Sequence, residues 1–421
     1  MSPRIYIDAC HSVALSRFEK PMRPFPPLLL LFMLLGCGKP AATPTQDEQL
    51  SKALDALTNS GATPDGKMYE PVSDGVKQGM AAVGGEHGYP SSKEGFGEMA
   101  DDFSPFGNAG PLPTFRFKKM PTGPLPAVAT PFGLHFELDD PSGIDWAKIG
   151  KTPNLKAVSI TCQRYTDATL EPLVALPQLV SIDLNFSKVT DAGLKYLGKC
   201  KSLESLRISN TKVTDAGLAN LAGLENLVRL GLEHTEVTGT GLVALKGLKK
   251  LVALNIHHGT DAGMKGVAAL PYLKRIILPL DMTDAGFAEL NSHAAVEKLD
   301  AAGSKVTGAM VSGMPSLKDL NLRDTPTNDA GLAKIKALKS LDGIVLNDTK
   351  VTDAGLKELI ELPALTHFKI RAVPITDAGL AHLGKYPQLD FLEIDETKIT
   401  KPALDAFKKE HPKCKVYSDV K

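Results

Sequence analysis

Cysteine is scarce and never closely paired. Five are scattered over 421 residues, which excludes a disulfide framework or a cysteine-based zinc knuckle. Net charge is missing as well: 48 basic side chains meet 48 acidic ones, and without residues 1–36 the balance is 44 to 46. No basic surplus is left to meet a nucleic-acid backbone, so no nucleic acid is expected as a partner. A membrane-spanning helix needs about 20 consecutive apolar residues; the run Leu28–Leu35 has eight. The chain also lacks HExxH, GxSxG and a Gly-rich phosphate loop after a strand, so neither an enzyme activity nor a cofactor is expected.

The short apolar run has a use of its own. "LLLLFMLL" is the length of a secretory h-region, and "LLGC", Leu34 to Cys37, follows at once. A basic residue, an apolar run, a small residue and a cysteine in that order resemble the lipobox of bacterial lipoproteins. The resemblance implies a signal peptide over residues 1–36, lipidation of Cys37, and a membrane anchor made by acyl chains. Starting at Met22 gives a compact signal with Arg23 as its charge, whereas Met1 leaves Asp8 and Glu19 in a long leader. Gly38 and Lys39 are not the Asp of an inner-membrane retention signal. The expected location is therefore exported, at the outer membrane or cell surface.

Residues 37–130 are dense in Gly and Pro, with "KPAATPTQ" and "SPFGNAGPLP". That composition reads as flexible linker, with one short helix over Asp47 to Leu57. Alternation of Phe132, Leu134, Phe136 and Leu138 predicts a strand, which with "SGIDWAKIGKTPNL" forms an N-terminal cap over residues 131–154.

One pattern then fills residues 155–400. L-x-x-L-x-L is followed by about five residues and then T-D-A-G-L-x-x-L-x-x-L. Its Thr position recurs eleven times, at Thr166, Thr190, Thr214, Thr238, Thr260, Thr283, Thr307, Asn328, Thr352, Thr376 and Thr400. A period of 21 to 24 residues marks a solenoid. The pattern resembles leucine-rich repeats of the ribonuclease-inhibitor and cysteine-containing type. The resemblance implies an α/β solenoid shaped as a curved horseshoe: a parallel sheet on the concave side, a true helix per unit on the convex side. Residues 401–421 close it as a C-terminal cap. In many such repeats an internal ladder is built on Asn; here that position reads Ser187, Thr211, Thr235, Ser304, Thr325, Thr349 and Thr397, whose hydroxyls can still bond turn backbone.

The recurring Thr-Asp reads as helix capping. Thr before an apolar-periodic run is an N-cap, and Asp next to it sits at the positive end of the helix dipole. Each carboxylate then serves its own helix, and losing Asp191 is expected to lower stability slightly. A calcium-binding or catalytic ridge is the less economical reading of the Asp column. Gly at the third helical position (Gly193, Gly217, Gly355, Gly379) allows close approach of neighbouring coils. Cys200 takes the slot of Leu224 and reads as a small buried hydrophobe.

Between the inward leucines, side chains point onto the concave face. The candidates for binding there are Arg207, Arg229, Glu233, Asn255, His257, Arg275, Asn321, Arg323, Lys369 and Arg371, with cationic clusters at Arg207/Arg229/Arg275 and Arg323/Lys369/Arg371. Arginine often anchors protein interfaces, so the expected partner is an unidentified protein. Envelope glycan binding and a purely structural envelope role are the alternatives; the face offers sugar little beyond Phe391. Glu233 and His257 share a column, with His234 and His258 following. Such groups can ligate zinc, but they read here as solvent-facing loop residues, and no metal is expected.

Overall fold

The structure is a computed structural model that describes residues 114–117 and 131–420, except residues 139, 153, 292 and 310–312. The signal segment, Met22, Cys37 and the short helix over residues 47–57 lie outside the described residues. Among the described residues no helix is long and apolar enough to cross a membrane.

Each L-x-x-L-x-L segment forms a short strand, commonly of three residues, and the strands stack side by side. Among the described residues these eleven and three flanking strands make one fourteen-stranded parallel sheet, in chain order from Thr114–Phe117 to Lys415–Ser418. The chain is therefore an α/β leucine-rich-repeat solenoid. The first strand falls inside the stretch that composition assigns to linker, which is corrected here: the ladder begins before residue 131. Phe117 explains it, because its ring is buried and stacks on Phe136 at 5.7 Å. Thr114–Phe117 pairs with Phe132–Phe136, which in turn pairs with Leu155–Ile160 across a register shift at Phe132/Gly133. At the other end Lys401–Glu410 forms the last helix and Lys415–Ser418 the edge strand.

The core is one continuous stack of leucine-type side chains. The middle inward slot of successive strands is filled by Ile182, Leu206, Leu230, Leu254 and Ile276, all without solvent exposure. No single coil could hide these side chains, so each coil depends on its neighbours. Units of irregular length lose residues from the return path rather than from the strand. Asp183 still faces Arg207, Asn255 faces Ile277 and Asp300 faces Asn321 in consecutive register.

The return segments are not uniformly α-helical, contrary to what the resemblance implies. Asp191–Leu197, Asp329–Ile335 and Asp377–Leu383 are α-helices, whereas Gly217–Leu221 and Thr240–Leu245 are 3₁₀.

The Thr-Asp pair does more than cap its own helix. Thr190, Thr214, Thr283, Thr352 and Thr376 accept from a backbone N–H two residues on, as expected of caps. The Asp, however, turns away from its own helix and clasps the Thr of the next coil. Asp191 accepts from the Thr214 N–H at 2.8 Å and from the Thr214 hydroxyl at 2.7 Å. The same pair of bonds links Asp167 to Thr190, Asp215 to Thr238, Asp261 to Thr283 and Asp284 to Thr307. It recurs from Asp329 to Thr352, Asp353 to Thr376 and Asp377 to Thr400. The glycine completes the motif. A Cβ on Gly217 would lie 2.2 Å from Asp191 Oδ1, and one on Gly355 2.3 Å from Asp329 Oδ1. T-D-x-G is thus an inter-coil clasp: Thr donates its N–H and hydroxyl, Asp reaches forward to accept from the next coil, and Gly leaves room for the carboxylate arriving from behind. The expectation that each Asp serves only its own helix is corrected accordingly.

Among the described coils, two joints lack the clasp. Gly239 and Gly308 stand where Asp would, with left-handed φ of 105° and 81°. Thr260 is then joined to Thr238 through backbone, and Asn328 caps its own Ala330 and Gly331 N–H groups.

The Ser/Thr position does not form a ladder between coils. Thr211, Thr235, Ser304, Thr325 and Thr349 each donate to the carbonyl three residues back in their own coil. They close the turn after a left-handed residue such as Asn210, His234, Asp324 or Asp348.

Candidate interaction face

The register sets out the strand face residue by residue. Its middle column runs Ser159, Asp183, Arg207, Gly231, Asn255, Ile277, then Asp300, Asn321, Val345, Lys369 and Glu393. Arg229 and Arg275 lie in the column before it, with Ala253 between them. Seven of the ten candidates therefore lie in paired strands, Glu233, His257 and Arg323 lie just beyond the ends of theirs, and the cations do not form free clusters. Adjacent strands lie close to 4.8 Å apart, so residues one coil apart touch, and the sequence puts opposite charges there. Arg207 reaches Asp183 at 3.5 Å and Lys369 reaches Glu393 at 3.3 Å. Lys298 reaches Asp319 at 3.1 Å, Arg323 meets Asp324 at 3.1 Å and Arg371 meets Glu396 at 3.0 Å. Arg229 and Asn255 are buried within the face. Glu233 accepts from the Asn255 side-chain amide, which fixes both. The signal for the four pairs between coils is in the sequence, as charge complementarity at about the repeat period, whereas Arg323 and Asp324 are chain neighbours.

Crowding also shifts titrations. Loss of water raises the Asp300 and Asp319 carboxyls above the ordinary range, with Lys298 pulling Asp319 back down. At the sheet's flank, hydrogen bonds from Lys274 and then Lys318 hold Glu297 down to about 2.

Near the last strand the face turns aromatic. His367 stacks on Phe391 with ring centroids 6.0 Å apart, and Phe391 meets Tyr417 at 5.3 Å. Lys369 lies over the Phe391 ring at 5.2 Å. Phe391 is buried, whereas Tyr417 is 53% exposed. Tyr417 was not legible as a face residue, because the closing strand has no leucine pattern to set its register; its pairing with Glu393 does so.

His234, His257 and His258 gather between two coils. The rings of His234 and His257 are 4.2 Å apart, and His234 Nδ1 lies 3.1 Å from His258 Nε2. Loss of water, then the charges of His234 and His258, push His257 down to about 4. An unfolded histidine titrates near pH 6.5. The depressed value means that stability contributed by a neutral His257 is present above pH 6.5 and drains away as pH falls toward 4. The melting temperature should accordingly fall between pH 7 and pH 4 more steeply in the wild type than in His257→Gln; parallel curves from a pH series of thermal melts would refute this. Among the described residues no three His, Cys, Asp or Glu side chains form a ready metal cage.

Cys200 is buried as expected, and loss of water pushes its thiol up to about 11, which keeps it an unreactive thiol at neutral pH. The surface depressions are lined elsewhere. One of about 320 Å³ lies among Glu171, Val174, Ala175, Tyr196 and Lys199, and one of about 210 Å³ lies beside His258.

Comparison with known proteins gives the same repeat. A family profile described as "Leucine Rich repeat" matches residues 199–222. No curated protein matches the chain. Among solved structures, an internalin of Listeria monocytogenes is similar at 17% identity and a TM-score of 0.46, over 65% of this chain and 83% of that one. A leucine-rich-repeat protein of Leptospira interrogans is similar at 16% identity and a TM-score of 0.39, over 71% and 93%. The TLR13 chain of a complex with the RNA ssRNA13 is similar at 16% identity and a TM-score of 0.48, over 64% and 40%. With its eleven recurrences of one motif, its single parallel ladder and the profile match over residues 199–222, this chain has the leucine-rich-repeat fold.

Proposed function

We propose that the chain is an exported, lipid-anchored interaction module that binds another protein across its strand face. The observation that carries this reading is the pre-ordered face itself. Ion pairs between coils and the His367–Phe391–Tyr417 stack hold its side chains in place before any partner arrives. Side chains fixed in advance cost less entropy on binding. Exposed Tyr417 is the kind of aromatic anchor that dominates interface energetics. A standard interface of about 1,600 Å² spans several coils, which suits a repeated surface better than a pocket. Cys37 supplies the membrane anchor in this reading, and the Gly/Pro-rich stretch after it supplies reach.

The test has two arms. Mass spectrometry of the mature protein should find an acylated N-terminal Cys37, and Cys37→Ser should move the protein from membrane to soluble fractions. Affinity capture from envelope extracts should lose its specific partner when Tyr417→Ala, Arg323→Ala and Arg371→Ala are combined, with the melting temperature held within a few degrees. An unchanged catch would place binding elsewhere, and retention on a glycan array that the triple variant abolishes would favour a sugar ligand instead.

A further inference from the structure

The joint between the coils of Thr238 and Thr260 is one of the two without a carboxylate clasp, because Gly239 replaces the Asp. Two imidazoles meet across that same joint. His234 belongs to the first coil and holds a left-handed φ of 52°; His258 belongs to the second. Both side chains are exposed, and His234 Nδ1 lies 3.1 Å from His258 Nε2. Two histidine nitrogens bound to one tetrahedral zinc at 2.0–2.1 Å are about 3.3 Å apart. The observed spacing is a few tenths of an ångström from that value. The cleft of about 210 Å³ beside His258 is lined by Thr235, Glu236, Val237, Thr238, Gly259, Thr260 and Asp281. It gives an incoming ion access and room for coordinated water.

We propose that His234 and His258 form a two-imidazole site for a divalent transition metal of the zinc class, which bridges the unclasped coils. Zinc takes its two bonds from His234 Nδ1 and His258 Nε2, and water fills its other positions. In the metal-free pair one ring donates its N–H to the other's lone pair. On binding, that ring passes its proton through solvent to its other nitrogen, so a neutral pair loses no net proton. Around the site Glu233 and Asp281 supply negative charge, the latter tied to Lys305 at 2.8 Å, while the His257 ring packs against His234. The metal would do across this joint what the Asp carboxylate does across its neighbours.

Calorimetric titration of the full chain with zinc chloride at pH 7.5 should show a site that His234→Gln and His258→Gln each weaken at least about tenfold. His257→Gln should keep it. Zinc should raise hydrogen-exchange protection over residues 233–260 in the wild type and not in His258→Gln, and the effect should vanish at pH 5. Melting in EDTA checks that each variant is folded. Equal zinc affinity and stoichiometry in the wild type and both variants would overturn the site. An equal loss in His257→Gln would overturn its two-donor assignment.

Discussion

Gly217→Ala is expected to destabilise the protein by about 3 kcal/mol, the upper range for overpacking. Helix propensity alone predicts the opposite sign, a gain of up to about 1 kcal/mol. The sign decides between the two because the added Cβ would sit 2.2 Å from Asp191 Oδ1, 2.7 Å from its Cγ and 3.1 Å from its Cα. That carboxylate cannot swing aside cheaply, since both oxygens are held by Thr214. Asp191→Ala should cost about 2 kcal/mol, since hydrogen bonds to charged groups are worth about 1.5–3 kcal/mol each and this half-buried site regains part of that from water. The double variant should lose less than the sum of the two, by about 2 kcal/mol, because removing the carboxylate vacates the space the methyl needs. Urea denaturation of the four proteins gives the cycle directly. Additive losses would mean that the Asp and the Gly do not share one contact.

Phe287→Ala should cost about 3–5 kcal/mol, the range for truncating a buried aromatic. Phe287 has no solvent exposure and occupies the inward slot that holds Leu194, Leu218, Leu242 and Met264 in earlier units. Phe287→Leu should cost less than half as much, since leucine is the slot's usual occupant and leaves a smaller cavity. Equal losses for the two variants, read from denaturation midpoints at constant slope, would show that the ring's volume is not what this coil needs. The Ala variant also tests the one-dimensional character of the fold. Exchange protection should fall most in the coils of Thr283 and its neighbours and least near the two ends, because each coil touches only those beside it.

Much of this was legible beforehand, and particular residues show why. Leu206, Leu230 and Leu254 are spaced by the repeat period, and a period can only be satisfied by stacking, so the ladder and its register followed from spacing alone. The burial of Cys200 followed from its alignment with Leu224. The strand at Thr114–Phe117 was not legible, because a Gly/Pro-rich surround hides four residues whose order rests on one ring, Phe117, finding Phe136. The arginine clusters misled for a related reason. Arg207 reads as a free cation until Asp183, twenty-four positions away, is set beside it.

The sequence by itself determined the repeat, the parallel ladder, the inward leucines and the polar outward columns, because each depends only on period and on the alternation of side chains along a strand. Tertiary structure alone decided where Asp191 and its equivalents point. A carboxylate at a helix start can serve its own N–H groups or its neighbour's, and local preference does not distinguish them. Only the closeness of the next coil, made possible by a missing Cβ at Gly217, turns the choice toward the neighbour. The meeting of His234 with His258 was decided the same way, by the approach of two coils whose clasp is absent.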